Sequence, residues 1–413
     1  MSRVSGSIRT AHNRSSREAA KKPTLAIISP SLEDGGTERY MRTLTDAAIS
    51  RGWNVVAAFP DRDTTAALSQ DLIAAGARTK SLEIGNYGRG GKAGVAQQIA
   101  RNARATLRLI RDNDASSVMV VLPHPDLAPG AVLGASLTRI PSVTSVHLVR
   151  ESVKISALRK HLYSLSKRLG TEWVVVSKDN QAVLANLLGW SRTDVHLVYL
   201  GIQDTALIDP SARARARTEL RAELSLPDDA QILLTVARLN PQKGHNVIID
   251  SMPDVLRARQ DVWWVWAGDG MSRSLLETAL GRTRATDRVR ILGHRDDVPR
   301  LLAGSDLFLF PTRFEGLGMA VLEAHLAILP VIASDAGPLP EIIRDQQDGL
   351  VIPIGDGAAL AKSTLWALEH PDAMKAMATK ARKRVLDDFS VGRMSQETFH
   401  LLDPRGRPES SDA

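Results

Sequence analysis

The sequence contains no cysteine, and this absence excludes several classes of protein before any pattern is considered. Disulfide scaffolds, thiolate metal sites and cysteine nucleophiles all need a residue that none of the 413 positions provides. Long apolar runs are also lacking: runs such as Val118–Leu122 fall far short of the ~18 residues that a membrane-spanning helix needs. Residues 1–24 hold no apolar stretch typical of a signal peptide. We therefore expect a cytoplasmic protein whose chemistry comes from histidine, carboxylates, basic side chains and the backbone.

An excess of positive charge is confined to two short segments, although the net charge of the chain is +7. Residues 1–22 carry six basic residues against one acid, and residues 150–168 carry the same excess, which leaves the rest of the chain mildly acidic. The basicity is therefore not a property of the whole surface, and we expect no nucleic-acid partner.

Short β-branched runs alternate with stretches of helical periodicity along most of the chain. The candidate strands are Thr24–Ser29, Asn54–Phe59, Thr79–Ile84, Ser117–Leu122, Ser142–His147, Trp173–Ser177, Val195–Tyr199, Ile232–Ala237, Val262–Ala267, Arg288–Leu292, Asp306–Phe310, Pro330–Ala333 and Gly349–Ile352. Most of these runs are continuously apolar, as expected for parallel strands covered on both faces. The pattern predicts an α/β protein with doubly wound parallel sheets.

The alternation breaks at residues 201–227, where a polar stretch with glycine and proline separates the two sets of strands. We place a domain boundary near residue 205. The predicted segments are a disordered basic tail at 1–22, an N-terminal Rossmann-like domain at 23–205, a C-terminal Rossmann-like domain at 206–386, a helix at about 387–402 that packs back on the first domain, and a disordered tail at 403–413. Two such domains would enclose a cleft at the carboxyl ends of their strands.

Two cations follow the first strand of the second half. Arg238 ends an apolar run, and Lys243 comes five residues later at the start of a helical pattern. Cations at a strand end beside the positive end of a helix suit a pyrophosphate. A solvated basic turn is the alternative for these residues taken alone.

Two carboxylates and two glycines form a second candidate site. Glu315 stands after a strand in a turn that contains Gly316 and Gly318, and Glu323 comes eight residues after Glu315. A helix would rise ~12 Å over that distance, so both carboxylates could address one elongated ligand. The glycines leave backbone N–H groups open to sugar hydroxyls or phosphate oxygens. The alternative is an acid at a helix N-terminus followed by a solvated glutamate.

In their order, these motifs resemble the retaining glycosyltransferases of family 4, which have the GT-B fold of two Rossmann-like domains facing a cleft. The segments that carry the resemblance are Arg238-x4-Lys243-Gly244, Gly268–Gly270, Glu315-x7-Glu323, Pro330–Ser334, Gly337–Glu341 and, more weakly, Gly35–Arg39 and His147 in the first domain. The similarity extends over roughly residues 24–390, and it is stronger in the second domain.

The resemblance implies transfer of a sugar from a nucleotide-sugar donor to a glycan or lipid-linked acceptor, with retention of anomeric configuration, in cell-surface or exopolysaccharide biosynthesis. The family's common usage favours a UDP-linked donor, with GDP and ADP left open. The resemblance also implies no metal and no cofactor, because Arg238 and Lys243 would neutralise the donor diphosphate. The sequence has no HExxH or paired-histidine pattern.

Individual residues take roles from the same resemblance. The residues implied in catalysis are Glu315, Arg238, Lys243 and His147, and those implied in donor binding are Gly35, Gly36, Gly293, His294, Gly316, Leu317, Gly318, Met319 and Glu323. Glu315 would hold hydroxyls of the donor sugar, Glu323 would accept hydrogen bonds from the ribose, and His147 would lie near the reacting sugar. Gly293 and His294 would border the base, although a plain surface turn is equally compatible with them.

The basic segment 150–168 also contains an apolar stripe of four leucines, Leu158, Leu162, Leu165 and Leu169. The pattern favours an amphipathic helix that packs its leucines on its own domain and exposes a basic face. The alternative is attachment to anionic lipid at the inner face of the plasma membrane, beside a lipid-linked acceptor.

Two other functions are compatible with the same fold. One is another GT-B enzyme, such as a sugar-nucleotide epimerase or a phosphorylase, although no cofactor-lysine pattern supports the phosphorylase. The other is a non-catalytic GT-B binding protein, which would have no nucleotide affinity and would tolerate loss of Glu315.

Overall fold

Two parallel β-sheets flanked by helices make up the structure. The computed structural model describes residues 22–32, 35–85, 92–283 and 285–403. The tails predicted to be disordered are residues 1–22 and 403–413, and all of these except residues 22 and 403 lie outside the described residues.

The first sheet has seven parallel strands in the order β3-β2-β1-β4-β5-β6-β7. These strands are β1 Thr24–Ile28, β2 Asn54–Phe59, β3 Arg78–Ser81, β4 Ser117–Leu122, β5 Ser142–Val146, β6 Thr171–Val175 and β7 His196–Leu197. The second sheet has six parallel strands in the order β10-β9-β8-β11-β12-β13. These strands are β8 Gln231–Val236, β9 Val262–Ala267, β10 Val289–Gly293, β11 Leu307–Phe310, β12 Val331–Ser334 and β13 Leu350–Ile352.

Helices connect the strands. Their bounds are α1 Gly36–Ser50, α2 Ala66–Ala74, α3 Lys92–Asp112, α4 Pro129–Ser136, α5 Ala157–Arg168, α6 Lys178–Leu188, α7 Pro210–Glu223, α8 His245–Ala258, α9 Arg273–Leu280, α10 Val298–Gly304, α11 Met319–Leu326, α12 Leu339–Ile342, α13 Gly357–Glu369, α14 Pro371–Asp388 and α15 Val391–Leu402.

The predicted fold class is confirmed, and each predicted strand overlaps a strand of the structure. The central strands β4 and β5 are buried along their whole length, which explains their continuously apolar or small residues. The edge strands β3 and β7 are shorter than predicted, because an edge strand is paired on one side alone and its partner limits its length.

The C-terminal helix α15 packs on the first sheet domain. The ring of Phe399 lies 5.1 Å from that of Trp53 in an edge-to-face arrangement, and the Arg51 guanidinium lies over the Phe399 ring. The Ser117 hydroxyl donates to the Leu402 carbonyl over 2.6 Å. Helix α15 therefore joins the second half of the described chain to the core of the first half.

Helix α5 differs from the expectation that its leucines pack on their own domain. Leu158, Leu165 and Leu169 are 46%, 36% and 42% exposed, whereas Tyr163 is fully buried. The Tyr163 ring lies edge-to-face with Trp173 at 4.8 Å, and its hydroxyl donates to the Pro125 carbonyl over 2.8 Å. Tyr163 therefore packs into the core from this helix, and most of the leucine stripe faces outward. Among the described helices, none has the length and apolarity needed to cross a membrane.

Candidate active site

A cavity of about 330 Å³ lies between the two sheet domains. Its lining comprises Gly35, Gly36, Thr37, Pro123, His124, His147, Leu148, Leu200, Ala237, Arg238, Gln242, Lys243, Phe310, Glu315, Gly316, Leu317, Gly318, Met319 and Ala320. Most of these residues follow β1, β4 and β5 in the first sheet and β8 and β11 in the second, while Leu200 follows β7 and Phe310 ends β11. Carboxyl strand ends where the strand order reverses are the usual ligand site of doubly wound folds. Ten of the thirteen predicted site residues line this cavity.

Two larger cavities, of about 520 and 610 Å³, lie away from the cleft. The first is lined by Gln231 and Asp306, at the amino ends of their strands, and the second lies beside α8 and β10. We assign the site to the smaller cavity because it alone of the three combines both domains with the carboxyl strand ends.

Lys243 and Glu315 form a buried ion pair in the cavity wall. The Lys243 ammonium lies 2.6 Å from the Glu315 carboxylate, and the two side chains are 14% and 9% exposed. The Thr312 hydroxyl donates to the same carboxylate oxygen over 2.8 Å. Because burying a charge without a partner is costly, the pair fixes the positions of both groups.

Backbone contacts join the turns that carry this pair. Gly244 has φ +71°, and a Cβ there would lie 1.8 Å from the Pro311 carbonyl oxygen. The Gln242 amide donates to the Phe314 carbonyl over 2.7 Å, and the Arg313 N–H donates to the Gln242 carbonyl over 2.8 Å. Glycine is therefore required in the Lys-Gly step, where its missing side chain lets the two turns meet.

Helix α11 points its N-terminus at the cavity. Gly318 caps the helix with φ +100° and no side-chain cap, and Met319 and Ala320 line the cavity beside it. The N–H groups of a first helical turn have no partner within the helix, so they favour an anion or a hydroxyl. The helix begins at Met319, so Glu315 stands before it in the glycine-bearing turn and Glu323 lies on the helix itself.

His147 faces this wall from the first domain. It is 6% exposed, and neither of its ring nitrogens has a partner among the described residues. Burial lowers the pKa of His147 to about 3, which keeps the ring neutral. Its ring lies edge-to-face with Tyr40 at 4.8 Å. An unsatisfied buried imidazole that lines a cavity is suited to a polar group of a ligand.

The loop that carries Gly316 and the loop that carries His147 touch. A Cβ on Gly316 would lie 2.2 Å from the His147 carbonyl oxygen. Gly36 is different, because a Cβ there would meet no described atom within 4 Å, which leaves the start of α1 open to a ligand.

Three predicted site residues lie outside the cavity lining. The Glu323 carboxylate forms an ion pair with Arg39 of α1, so the two domains also meet there. Gly293 ends β10, and its carbonyl accepts the Gly268 N–H over 2.7 Å. His294 is exposed, and its side chain contacts Asp296.

The sequence reasoning missed several residues of the lining, among them His124, Thr37 and Gln242. His124 follows β4, and burial is the main cause that lowers its pKa. The signal that could have found it is the one that found His147, a polar residue directly after a central strand. Within the described part of the chain, no group of three or more acidic or histidine side chains is placed to hold a metal ion.

Family models match both halves of the chain. Residues 34–205 match the model described as Glycosyltransferase Family 4, and residues 216–384 match the one described as Glycosyl transferases group 1.

Curated relatives cover different shares of their own lengths. The alpha-D-kanosaminyltransferase of Streptomyces kanamyceticus is 32% identical over 45% of this chain, and the match spans 47% of that protein. A GDP-mannose-dependent phosphatidylinositol monomannoside mannosyltransferase of Corynebacterium glutamicum is 28% identical over 74% of this chain and 81% of its own length.

Solved structures share the architecture. A glycosyltransferase from Rickettsia africae superposes with a TM-score of 0.78 at 19% identity, covering 92% of this chain and 98% of its own. Anabaena HepE in complex with UDP and glucose superposes with a TM-score of 0.71 at 19% identity, covering 91% and 98%. At these identities the likeness establishes the fold.

Proposed function

We infer, from the chain's membership of the glycosyltransferases with the GT-B fold, that it moves a sugar from a nucleotide-sugar donor to a glycan or lipid-linked acceptor with retention of configuration. The observation that carries this proposal is the buried Lys243–Glu315 pair, which lies beside Arg238 and the N-terminus of α11 in the interdomain cavity. Cations and helix N–H groups are suited to a diphosphate, and a carboxylate is suited to sugar hydroxyls.

Leaving-group stabilisation is the role we give to Arg238 and Lys243. Negative charge builds on the donor diphosphate as its bond to the sugar breaks, and fixed cations stabilise that charge. These cations would do the work for which other transferases use a metal. The N–H groups at Gly318 and Met319 would add to the positive field.

Retention would follow a front-side, oxocarbenium-like path in which a donor phosphate oxygen receives the acceptor's proton. Glu315 is held by Lys243 and Thr312, so we assign it to the donor-sugar hydroxyls and not to nucleophilic attack. His147 is neutral, so it would contact the sugar as a hydrogen-bonding group without adding positive charge.

The first test replaces the ion pair. We expect Glu315→Gln and Lys243→Ala to lower transfer by about 10²-fold or more, because each removes a group that acts in the transition state. Glu219→Gln, on an exposed position of α7, is the matched control and should leave transfer unchanged. Circular dichroism and thermal melting would verify that the variants fold. Full activity in either site variant would refute the assignment.

The donor is tested by ligand-induced stabilisation. We propose a UDP-linked donor, supported by the UDP complex of Anabaena HepE, and a GDP-linked donor is the alternative favoured by the Corynebacterium relative. A nucleotide sugar at 100 times its Kd should add about 2.7 kcal/mol to the free energy of unfolding. A thermal-shift panel of UDP, GDP and ADP sugars would identify the nucleotide, and no shift with any of them would favour a non-catalytic binding protein.

Product analysis separates the enzyme classes. A transferase gives a glycosylated acceptor and a free nucleoside diphosphate, whereas an epimerase changes the donor sugar alone. Chromatography of the reaction with and without a lipid-linked or glycan acceptor would distinguish them, and a proton NMR spectrum of the product would give its anomeric configuration.

We also propose that α5 contacts an anionic membrane. The specific observation is that Leu158, Leu165 and Leu169 are exposed beside basic residues. An exposed apolar stripe flanked by cations suits the interface of a bilayer with anionic headgroups. Such contact would place the enzyme next to a lipid-linked acceptor.

Vesicle binding tests the membrane contact. Reversing Lys154, Arg159 and Lys160 to glutamate should reduce co-sedimentation with vesicles of phosphatidylglycerol and phosphatidylcholine by at least tenfold, since each basic residue near such a surface contributes about 1 kcal/mol. Reversal of three exposed lysines on α14, at positions 375, 380 and 383, is the matched control. Unchanged binding of the α5 variant would contradict the proposal.

A further inference from the structure

The N-terminus of α6, in the first domain, holds a carboxylate from the second. The backbone N–H groups of Lys178 and Asp179 donate to the two oxygens of Glu341, each over 2.9 Å. The Tyr199 hydroxyl donates to the same carboxylate over 2.8 Å. Glu341 therefore accepts three hydrogen bonds from the first domain.

A helix N-terminus has N–H groups without helical partners, and a nearby side chain normally caps them. In α6 the Ser177 hydroxyl accepts the Asn180 N–H over 3.1 Å, while the two preceding N–H groups are capped by Glu341. A carboxylate is favoured at this end of the helix dipole. The second domain thus completes the cap of a helix in the first.

Charges of both signs surround Glu341, because Asp179 lies nearby and the Arg384 guanidinium donates to the Glu341 carbonyl. Burial and then the nearby Glu341 raise the pKa of Asp179, so two carboxylates lie close together at the interface. Burial and then the hydrogen bond to Glu341 raise the pKa of Tyr199, which keeps its hydroxyl as a donor. The Glu341 carboxylate is therefore held by three donors, with a like charge and a cation both nearby.

The same turn of α6 reaches the proposed active site through Asn180, which is fully buried. Its amide nitrogen donates to the carbonyl of Gly316 over 2.9 Å and to that of His147 over 3.3 Å. Its amide oxygen accepts the Val149 N–H over 2.9 Å. The turn that binds Glu341 therefore also places the Gly316 loop against the His147 loop.

We propose that Glu341 is a positioning residue whose carboxylate clasps the N-terminus of α6 and holds the cleft in the closed state in which the Gly316 loop meets His147. The catalytic consequence rests on the proposed transferase function, but the closure itself does not. Loss of the clasp shifts the molecule toward open conformations in which donor and acceptor are farther apart.

Interdomain distances test the clasp without any need for activity. Because the chain has no cysteine, cysteines placed at the exposed positions Gln70 on α2 and Ser274 on α9 carry spin labels free of background. In the labelled parent, the distance between the two spin labels measured by pulsed electron paramagnetic resonance should match that of the closed structure. Glu341→Gln should shift the distribution to other distances, and Glu219→Gln is the matched control.

Steady-state kinetics of the same kind of variant provide a second measurement. Glu341→Gln should lower kcat/KM about tenfold, and Tyr199→Phe, which removes one of three donors and leaves the helix cap intact, should have a smaller effect in the same direction. Parent-like distances in both variants would overturn the clasp even if the parent is an active transferase. If the parent transfers no sugar, the proposed function fails while the distance measurement still decides the clasp.

Discussion

At the scale of single residues, two glycines with nearly the same φ allow the energetic cost of backbone strain to be separated from that of a steric clash. Gly244 has φ +71° and Gly189 has φ +73°, but a Cβ on Gly244 would lie 1.8 Å from a carbonyl oxygen, whereas one on Gly189 would meet no described atom within 4 Å. Alanine costs about 1–2 kcal/mol in this region through strain alone.

We therefore expect Gly189→Ala to lower the free energy of unfolding by about 1 kcal/mol. Gly244→Ala should cost several times as much, because the turn must also move away from Pro311. It should lower transfer as well, since Lys243 is the neighbouring residue. Denaturant titration of both variants measures the difference, and equal losses would contradict the steric account.

Sequence reasoning identified part of the candidate site at this scale, because loops that follow central strands meet at one edge of a sheet. Arg238 and Lys243 were expected in the loop after β8 and Glu315 in the loop after β11, and the structure brings all three to one cavity. The Arg39 partner of Glu323 was not predictable, because it comes from another domain and a distant part of the chain. The spacing of one segment carries no information about such contacts.

At the scale of elements, strands were more predictable than helix faces. Continuous apolar runs identify buried parallel strands directly. A helix such as α5 has several apolar residues at helical spacing, and periodicity does not reveal that Tyr163 binds the core in place of the leucines. Which side chain of α5 faces the core depends on contacts of Tyr163 with the Trp173 ring and the Pro125 carbonyl, and these contacts form only in the folded domain.

The element-scale prediction concerns α15. Phe399 is 6% exposed and packs against Trp53 and Arg51 of the first domain. Phe399→Ala should lower the free energy of unfolding by about 3–5 kcal/mol through loss of buried area and the cavity that remains. Leu386→Ala, at a position of α14 that is 42% exposed, should cost less than about 0.5 kcal/mol. Denaturant unfolding tests both, and a small loss in Phe399→Ala would indicate that α15 is not needed by the first domain.

At the scale of the whole molecule, buried neutral histidines couple folding to pH. His147, His245 and His325 are 6%, 1% and 0% exposed, and their ring nitrogens have no partners among the described residues. Burial is the main cause that lowers their pKa values to about 3, 4 and 3. Each must therefore be neutral in the folded protein over the range in which an unfolded histidine, with a pKa of about 6.5, takes up a proton.

The sign of the effect follows from proton binding. At these three histidines the unfolded state binds more protons than the folded state between pH 6.5 and about pH 4, so their contribution to the free energy of unfolding falls as the pH falls. Each buried histidine should contribute a loss of about 2 kcal/mol at pH 5 relative to neutral pH.

His325 lies in α11 outside the cavity lining, so His325→Leu removes one of the three contributions without touching the site. Denaturant titrations at pH 8 report the packing change alone, because unfolded histidine is then neutral. The difference in the free energy of unfolding between variant and parent should be about 2 kcal/mol more in favour of the variant at pH 5 than at pH 8. The same difference at both pH values would refute the account for His325.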